Sequence, residues 1–171
     1  MLVPPPAESS GFMPGRPNSA LAIIRGGPEH PRLRGTVQFR QTAGGVLVNA
    51  DISGLPQSST GFFAFHLHEG TCGRRPGPAP PGADPFPDTG SHYNPGNAPH
   101  PQHAGDFPPL LRLRDGSARL SFVTDRFRLE QVIGKCVVIH MNPDDFRTQP
   151  SGDSGMKIAC GDILPQNPAA F

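Results

Sequence analysis

The first residues able to do chemistry are His66 and His68, which lie two positions apart in an aromatic segment predicted to be a strand. Side chains two residues apart in a strand project from the same face of the sheet, so both imidazoles point into one space. Such a pair is a common way to hold one metal ion, and imidazole suits both copper and zinc. The pair alone leaves ordinary packing and metal binding both open.

More ligand types follow in a long loop that is rich in glycine and proline. Histidine occurs there at positions 92, 100 and 103, and Asp106 comes three residues after His103. Three imidazoles and one carboxylate are a donor set that suits tetrahedral zinc. The loop has few apolar residues with which to order itself, so a bound metal would act as its organiser in place of a core.

Two histidines lie outside the pair and the loop. His140 ends a later apolar segment that is predicted to be a strand, and it completes a pattern of six histidines. His30 has no such neighbours in the sequence and is interpreted as a packing or surface residue. The spacing therefore predicts a histidine cluster that could hold two metal ions.

The elements that must position these residues are predicted to be about eight short strands. Turn signals at Thr42–Gly45 and at Asp115-Gly116 indicate hairpins. No stretch is convincingly helical, and short strands with turn signals predict an all-β sandwich or Greek-key barrel. The predicted strands cover residues 21–24, 36–40, 46–52, 61–68, 110–114, 119–124, 136–140 and 157–160. Residues 73–109 and 142–155 would then be two long functional loops.

Length and composition exclude several classes of protein to which the chain could otherwise belong. The 171 residues suit one domain, and 21 glycines with 23 prolines argue against an all-helical chain. A net charge of +1 gives no indication of nucleic acid, and no apolar run is long enough to span a membrane. We expect a flexible Pro-rich arm over residues 1–18 and one domain over residues 19–171. The arm does not look like a signal peptide, and cytoplasmic and exported locations both stay open.

Five motifs, in this order along the chain, carry a resemblance to a known family. They are Phe65-His66-Leu67-His68-Glu69, Ser91-His92-Tyr93-Asn94-Pro95, His103-Ala104-Gly105-Asp106, Val138-Ile139-His140 and Lys157-Ile158-Ala159-Cys160-Gly161. Over about residues 20–164 the chain resembles the Cu/Zn superoxide dismutases, and it resembles the bacterial type of that family. The resemblance implies an eight-stranded Greek-key β-barrel or sandwich with two long functional loops. It also implies an antioxidant enzyme that converts superoxide to dioxygen and hydrogen peroxide as copper cycles between Cu(II) and Cu(I).

The resemblance implies two ligand sets that share one imidazole. The copper ligands would be His66, His68, His92 and His140, and the zinc ligands would be His92, His100, His103 and Asp106. The ring of His92 would bridge the two metals and carry a proton during turnover. Zinc would hold the loop and set the basicity of that ring.

Further roles follow from the same resemblance. Cys72 and Cys160 would form the family's disulfide, and Cys136 would remain a buried, inert thiol. Asp144 would hydrogen-bond ligands of both metals, fixing their tautomers and ring orientations. Its neighbour Asp145 is one alternative for that role, and a solvated loop charge with no such role is the other.

Three departures from the family pattern stand out. Lys157 replaces the arginine that guides the anionic substrate, and lysine keeps the charge but lacks the planar fork of arginine. We expect attraction of the anion to survive and its positioning to weaken; Arg147 is a weaker candidate, and a plain surface lysine is the alternative. The segment Glu69–Cys72 is one residue shorter than usual, which affects disulfide geometry. The segment Arg74–Asp88 is unusually rich in proline.

Other functions remain open at this stage. The first is a non-enzymatic copper- and zinc-binding domain on the same fold, and a dismutase assay of the copper-loaded protein separates it from the enzyme. The second is a zinc-stabilised structural domain, which leaves His66, His68 and His140 without a role. Monomer and homodimer are both open.

Overall fold

The computed structural model describes residues 17–73, 80 and 82–166 of the chain. The Pro-rich arm predicted over residues 1–18 lies almost entirely outside these residues, so the division into arm and domain stays a prediction. Within the described residues no helix has the length and the apolar character needed to cross a membrane.

The described residues form nine strands, one turn of 3-10 helix at Pro87–Thr89 and one turn of α-helix, α1, at Leu129–Val132. The strands are β1 Ser19–Gly26, β2 Arg34–Thr42, β3 Gly45–Ser53, β4 Phe62–Phe63, β5 Phe65–His68, β6 Leu110–Leu111, β7 Ala118–Thr124, β8 Cys136–His140 and β9 Lys157–Gln166. Seven of them make one curled antiparallel sheet in the order β5-β8-β9-β1-β2-β3-β7, and β4 pairs with β6. The predicted all-β fold is confirmed.

The largest strands follow the predicted alternation. In β3 the buried residues are Val46, Val48, Ala50 and Ile52, which form the face predicted from the sequence. The hairpin between β2 and β3 closes where Thr42 pairs with Gly45. Alternate apolar residues of β1 and β2 join the same core, because side chains with a period of two lie on one face of the sheet.

One predicted strand is divided in the structure. Residues 61–68 form β4 and β5, which are separated at Ala64. The amide of Ala64 donates to the carbonyl of Asn142 at 2.8 Å, and the amide of His140 donates to the carbonyl of Ala64 at 2.9 Å. These bonds attach Ala64 to the end of β8, so β4 pairs with β6 and β5 pairs with β8. The segment predicted at residues 110–114 is likewise shortened to β6, and α1 has no counterpart in the prediction.

Strands β5 and β8 are buried on both faces, unlike the other long strands. Phe65 and Leu67 of β5 enter the main core, whereas His66 and His68 lie on the opposite, outer face. The outer face is covered by loop residues instead of solvent. The fold therefore creates a second buried compartment, and it is lined by histidine.

We expect the two faces of β1 to differ strongly in their contribution to stability. Ile24 is 0% exposed and its neighbour Ile23 is 50% exposed. Ile24→Ala should lower the free energy of unfolding by about 2–5 kcal/mol, because it leaves a cavity in the core. Ile23→Ala is the matched control and should cost less than about 1 kcal/mol. Urea denaturation of both variants measures the difference, and equal losses would contradict the assignment of faces.

Candidate metal centre

All seven residues predicted as ligands lie in one compartment on the outer face of β5 and β8. Within each set the nearest ligand atoms lie within 4.8 Å of one another. The first set is His66, His68, His92 and His140, and the second is His92, His100, His103 and Asp106. Only His92 belongs to both.

Strand pairing brings three of the histidines together. β5 and β8 are antiparallel neighbours, with Phe65 opposite Ile139 and His68 opposite Cys136. His140 follows at the end of β8 on the face that His66 and His68 share, and the Nε2 atoms of His68 and His140 are 3.2 Å apart. This part of the site is thus fixed by two regular strands.

The long loop is attached to the free edge of β5. The amide of Tyr93 donates to the carbonyl of Leu67 at 2.8 Å, and the amide of Leu67 donates to the carbonyl of Gly105 at 2.9 Å. A Cβ at position 105 would collide with the Leu67 carbonyl, so only glycine allows this approach. These bonds hold the neighbouring residues, His92 and Asp106, against the strand.

Hydrogen bonds determine which nitrogen of each ring is available to a ligand. The Nε2 atoms of His66 and His100 donate to the two oxygens of Asp144, at 2.8 and 2.9 Å. These rings therefore present Nδ1, because the acceptor takes the other N–H.

The other two tautomers are set by backbone carbonyls. The Nδ1 of His68 donates to the carbonyl of Gly90 at 2.9 Å, and the Nδ1 of His140 donates to the carbonyl of Gly155 at 3.2 Å. Both rings therefore direct Nε2, with its lone pair, at the same point. Two lone pairs at 3.2 Å repel each other unless a cation lies between them.

The donor atoms fit two metal ions. The Nδ1 of His66, the Nε2 of His92 and the Nδ1 of His100 are buried without a hydrogen-bond partner, although His100 Nδ1 lies 3.1 Å from Asp106. Buried polar atoms are normally satisfied, so three in one compartment indicate an ion as the partner.

The distances between ring nitrogens also fit bound metals. Two nitrogens that bind one metal tetrahedrally at about 2.0–2.1 Å are about 3.3 Å apart. The separations observed between His68 and His140, and between the Nδ1 atoms of His92 and His103 at 3.3 Å, agree with this.

Comparison with known proteins identifies the family. Residues 33–163 match the sequence model of the copper/zinc superoxide dismutases. The chain belongs to the Cu/Zn superoxide dismutase family. It is 35% identical over 144 residues to "Superoxide dismutase [Cu-Zn]" of Deinococcus radiodurans, covering 76% of both chains. It is 37% identical over 144 residues to "Superoxide dismutase [Cu-Zn]" of Legionella pneumophila, covering 82% of this chain and 83% of the relative.

A solved structure agrees with this family assignment. The Cu/Zn superoxide dismutase from Brucella abortus superposes with a TM-score of 0.69 at 27% sequence identity, covering 85% of this chain and 99% of that one. The donor chemistry of the two histidine sets and the family together support copper and zinc as the metals.

Burial keeps three imidazoles of this Cu/Zn family member, those of His66, His68 and His140, in the neutral form that binds metals. Desolvation lowers the pKa of His66 to about 4 and that of His68 to about 3, with the positive charge of Lys157 a smaller cause for His68. Burial also lowers the pKa of His140 well below its usual value. A metal therefore meets little competition from protons near neutral pH.

Asp144 is ionised at the centre of the site. Burial would raise its pKa, but hydrogen bonds from His66, the amide of Phe146 and His100 together lower the pKa to about 2. The side chain of the alternative residue, Asp145, accepts hydrogen bonds from Arg147 and Thr148 in its own turn. The structure therefore places Asp144, and not Asp145, between the two ligand sets.

The disulfide prediction is confirmed. Cys72 and Cys160 are bonded, with their Cα atoms 5.7 Å apart, so the short Glu69–Cys72 segment does not prevent the bond. The Sγ of Cys136 lies within 4.8 Å of both partners, but burial raises the pKa of this thiol to about 12. It remains protonated at neutral pH and is a poor nucleophile.

Lys157 lies at the wall of a pocket of about 460 Å³ that opens over the copper set, together with His68, His92 and His140. Its ammonium group is held 2.6 Å from a carboxylate oxygen of Asp84. Arg147, the weaker candidate, is exposed and does not line this pocket.

The sequence analysis missed several residues that position the ligands. The side chain of Gln149 clamps the backbone of His100: its Oε1 accepts from the amide at 3.0 Å and its Nε2 donates to the carbonyl at 2.7 Å. The carbonyls of Gly90 and Gly155 were also missed. A backbone carbonyl can belong to any residue type, so the sequence gives no sign of its role. Gly152 is a residue whose type does carry information, since a Cβ at this position would collide with Asp144 and His100.

We expect the stability of the metal-free chain to fall as the pH is lowered from about 6.5 to about 4. Unfolded imidazoles bind protons below their usual pKa of 6.5, while folded His66 and His68 do so only near 4 and 3. The unfolded state thus gains protons first, and the depressed pKa of Asp144 adds a further loss between about 3.8 and 2. Denaturant melts across this range measure the effect; a flat profile down to about pH 4.5 would contradict it.

Proposed function

We propose that this chain is a Cu/Zn superoxide dismutase that converts two superoxide anions and two protons to dioxygen and hydrogen peroxide. The observation that supports this best is the position of His92, which among the described residues is the one member of both ligand sets. The copper ligands would be His66, His68, His92 and His140, and the zinc ligands His92, His100, His103 and Asp106. Asp144 would orient one ligand of each set.

The reaction divides between the metals and the residues that surround them. Bound copper supplies one-electron exchange with superoxide, and zinc supplies a fixed positive charge that does not change oxidation state. The residues bind and orient the reactants and deliver protons. Their geometry is therefore what this chain itself contributes.

His92 is the residue suited to carry a proton. Its Nδ1 lies 2.8 Å from an oxygen of Asp106 and 3.3 Å from the Nδ1 of His103, both in the zinc set, so Nε2, which is buried without a hydrogen-bond partner, is the nitrogen left for the copper set. A ring held at Nδ1 can accept a proton at Nε2 and release it without losing its place. It would give this proton to the second superoxide, and water would supply the other proton of hydrogen peroxide.

Neighbouring groups keep the remaining rings in place during this exchange. Asp144 fixes His66, and the carbonyls of Gly90 and Gly155 fix His68 and His140. Each hydrogen bond restrains its ring through one nitrogen and leaves the other nitrogen free to bind metal. The metal-binding nitrogens therefore need to move little during the reaction.

The alternatives explain less of the site. A structural zinc domain would leave His66, His68 and His140 converging on one point without a purpose. A non-enzymatic metal-binding domain does not require a pocket open to solvent above a complete copper set. Monomer and homodimer both remain compatible with the proposed reaction.

The variant His140→Ala should lose dismutase activity by at least about a hundredfold while it retains zinc. The substitution removes a ligand of the copper set only, and the zinc set is held separately by the loop. Decay of superoxide and elemental analysis of the same preparation measure the two properties. His30→Ala is the matched control and should keep activity and both metals. Full activity in His140→Ala would refute the copper assignment.

Neutralising Lys157 tests its predicted role in attracting the substrate. In Lys157→Gln, the second-order rate constant should fall and should depend less on ionic strength, because a cation at the pocket wall accelerates capture of an anion. Stopped-flow decay of superoxide at several salt concentrations provides both quantities. If the rate constant and its salt slope equal those of the wild type, Lys157 has no part in substrate capture.

A further inference from the structure

An irregularity between β8 and β9 places Lys157 beside the copper set. The register shifts after Ile139, so that Lys157, and not Ile158, lies opposite His140. As a result Ile158 and Ala159, although adjacent, both belong to the main core. The bulge thereby turns Lys157 to the outer face, where the histidines lie.

The ammonium group of Lys157 has two acceptors in residues 82–88, the end of the Pro-rich segment 74–88, which is called the Pro-rich loop below. Its Nζ donates to Oδ2 of Asp84 at 2.6 Å and to the carbonyl of Phe86 at 3.1 Å. The second carboxylate oxygen of Asp84, Oδ1, accepts from the amide of Phe86 at 2.8 Å, which makes an Asx turn. Pro85 and Pro87 restrict the backbone on either side of Phe86. This end of the loop is therefore shaped to receive the lysine.

The pairing changes the field that an approaching anion meets. The side chain of Lys157 is 17% exposed and that of Asp84 is 42% exposed, so solvent screens the pair only in part. Because the two groups are 2.6 Å apart, the carboxylate offsets part of the attraction that the ammonium group exerts on an anion in the pocket. Among the described residues that line the pocket, Lys157 is the one lysine or arginine, and Glu69 is an acidic residue in the same lining.

We propose that Asp84 attenuates the attraction of Lys157 for anions, so that the Pro-rich loop sets the rate at which the site captures its substrate. This inference rests on the proposed function for the identity of that substrate. Asp84 is on this account a residue that acts through Lys157 and does not touch the reacting atoms.

The test is the variant Asp84→Asn. Asparagine keeps Oδ1 as the acceptor for the amide of Phe86, and it replaces the charged Oδ2 by an uncharged NH2 group that cannot accept from Lys157. The second-order rate constant for superoxide should rise about twofold to fivefold at low ionic strength and should fall more steeply with added salt. Azide, an anion that is not dismutated, should bind the copper-loaded protein more tightly by a similar factor, as followed by the visible absorption of copper.

Two comparisons make the result specific. Asp51→Asn is the matched control, because it also removes a carboxylate from an ion pair, with Arg119, on the exposed face of β3. It changes the net charge by the same amount and should alter neither the rate constant for superoxide nor the affinity for azide. In a Lys157→Gln background, Asp84→Asn should raise the rate constant by a smaller factor than in the wild type, because it then removes only the repulsion of the carboxylate and no longer frees an ammonium group to attract the anion.

Each outcome has a defined meaning. An unchanged or lower rate constant in Asp84→Asn, or an equal increase with and without Lys157, would overturn the inference. Failure of the proposed function would look different: no variant, nor the wild type, would dismutate superoxide, while azide binding would still report on the pair.

Discussion

The carboxylate of Asp144 is the contact on which the arrangement of the site depends. Its two oxygens accept from the Nε2 atoms of His66, on β5, and His100, on the long loop. One buried group therefore joins a strand to a loop that has little core of its own, and it fixes the tautomer of a ring in each ligand set. Because hydrogen bonds from both rings and from the Phe146 amide hold its pKa near 2, the carboxylate stays charged at neutral pH.

The β-sheet supports this contact by dividing the chain into two buried compartments. The inner face of the sheet carries an apolar core, whereas the outer face of β5 and β8 carries histidines beneath loops. Burial in the second compartment would be costly for unsatisfied imidazoles. Hydrogen bonds to Asp144, Gly90 and Gly155 satisfy one nitrogen of the rings that they hold, and bound copper and zinc would satisfy the nitrogens that remain. Sheet, loop and metals are thus interdependent, and the disulfide between Cys72 and Cys160 joins the segment that follows β5 to β9.

Much of this could be predicted from local sequence. Alternation predicted the inner face of β3, and residue type with spacing predicted the histidine cluster, because both side chains of a His-x-His pair in a strand lie on one face. Features that depend on register or on distant backbone could not be predicted. The division of β4 from β5 at Ala64 arises from bonds to Asn142 and His140, and the bulge that turns Lys157 outward is a property of two paired strands. No pattern within the Pro-rich loop revealed that Asp84 meets a lysine 73 residues further along the chain.

The central claim is that His92 lies between two metal ions of different kinds. A crystal structure of the copper- and zinc-loaded protein, with anomalous scattering measured at both absorption edges, tests it most directly. The account predicts one copper beside His66, His68 and His140, one zinc beside His100, His103 and Asp106, and the ring of His92 between the two. A single ion, or a ring of His92 that contacts neither metal, would contradict it.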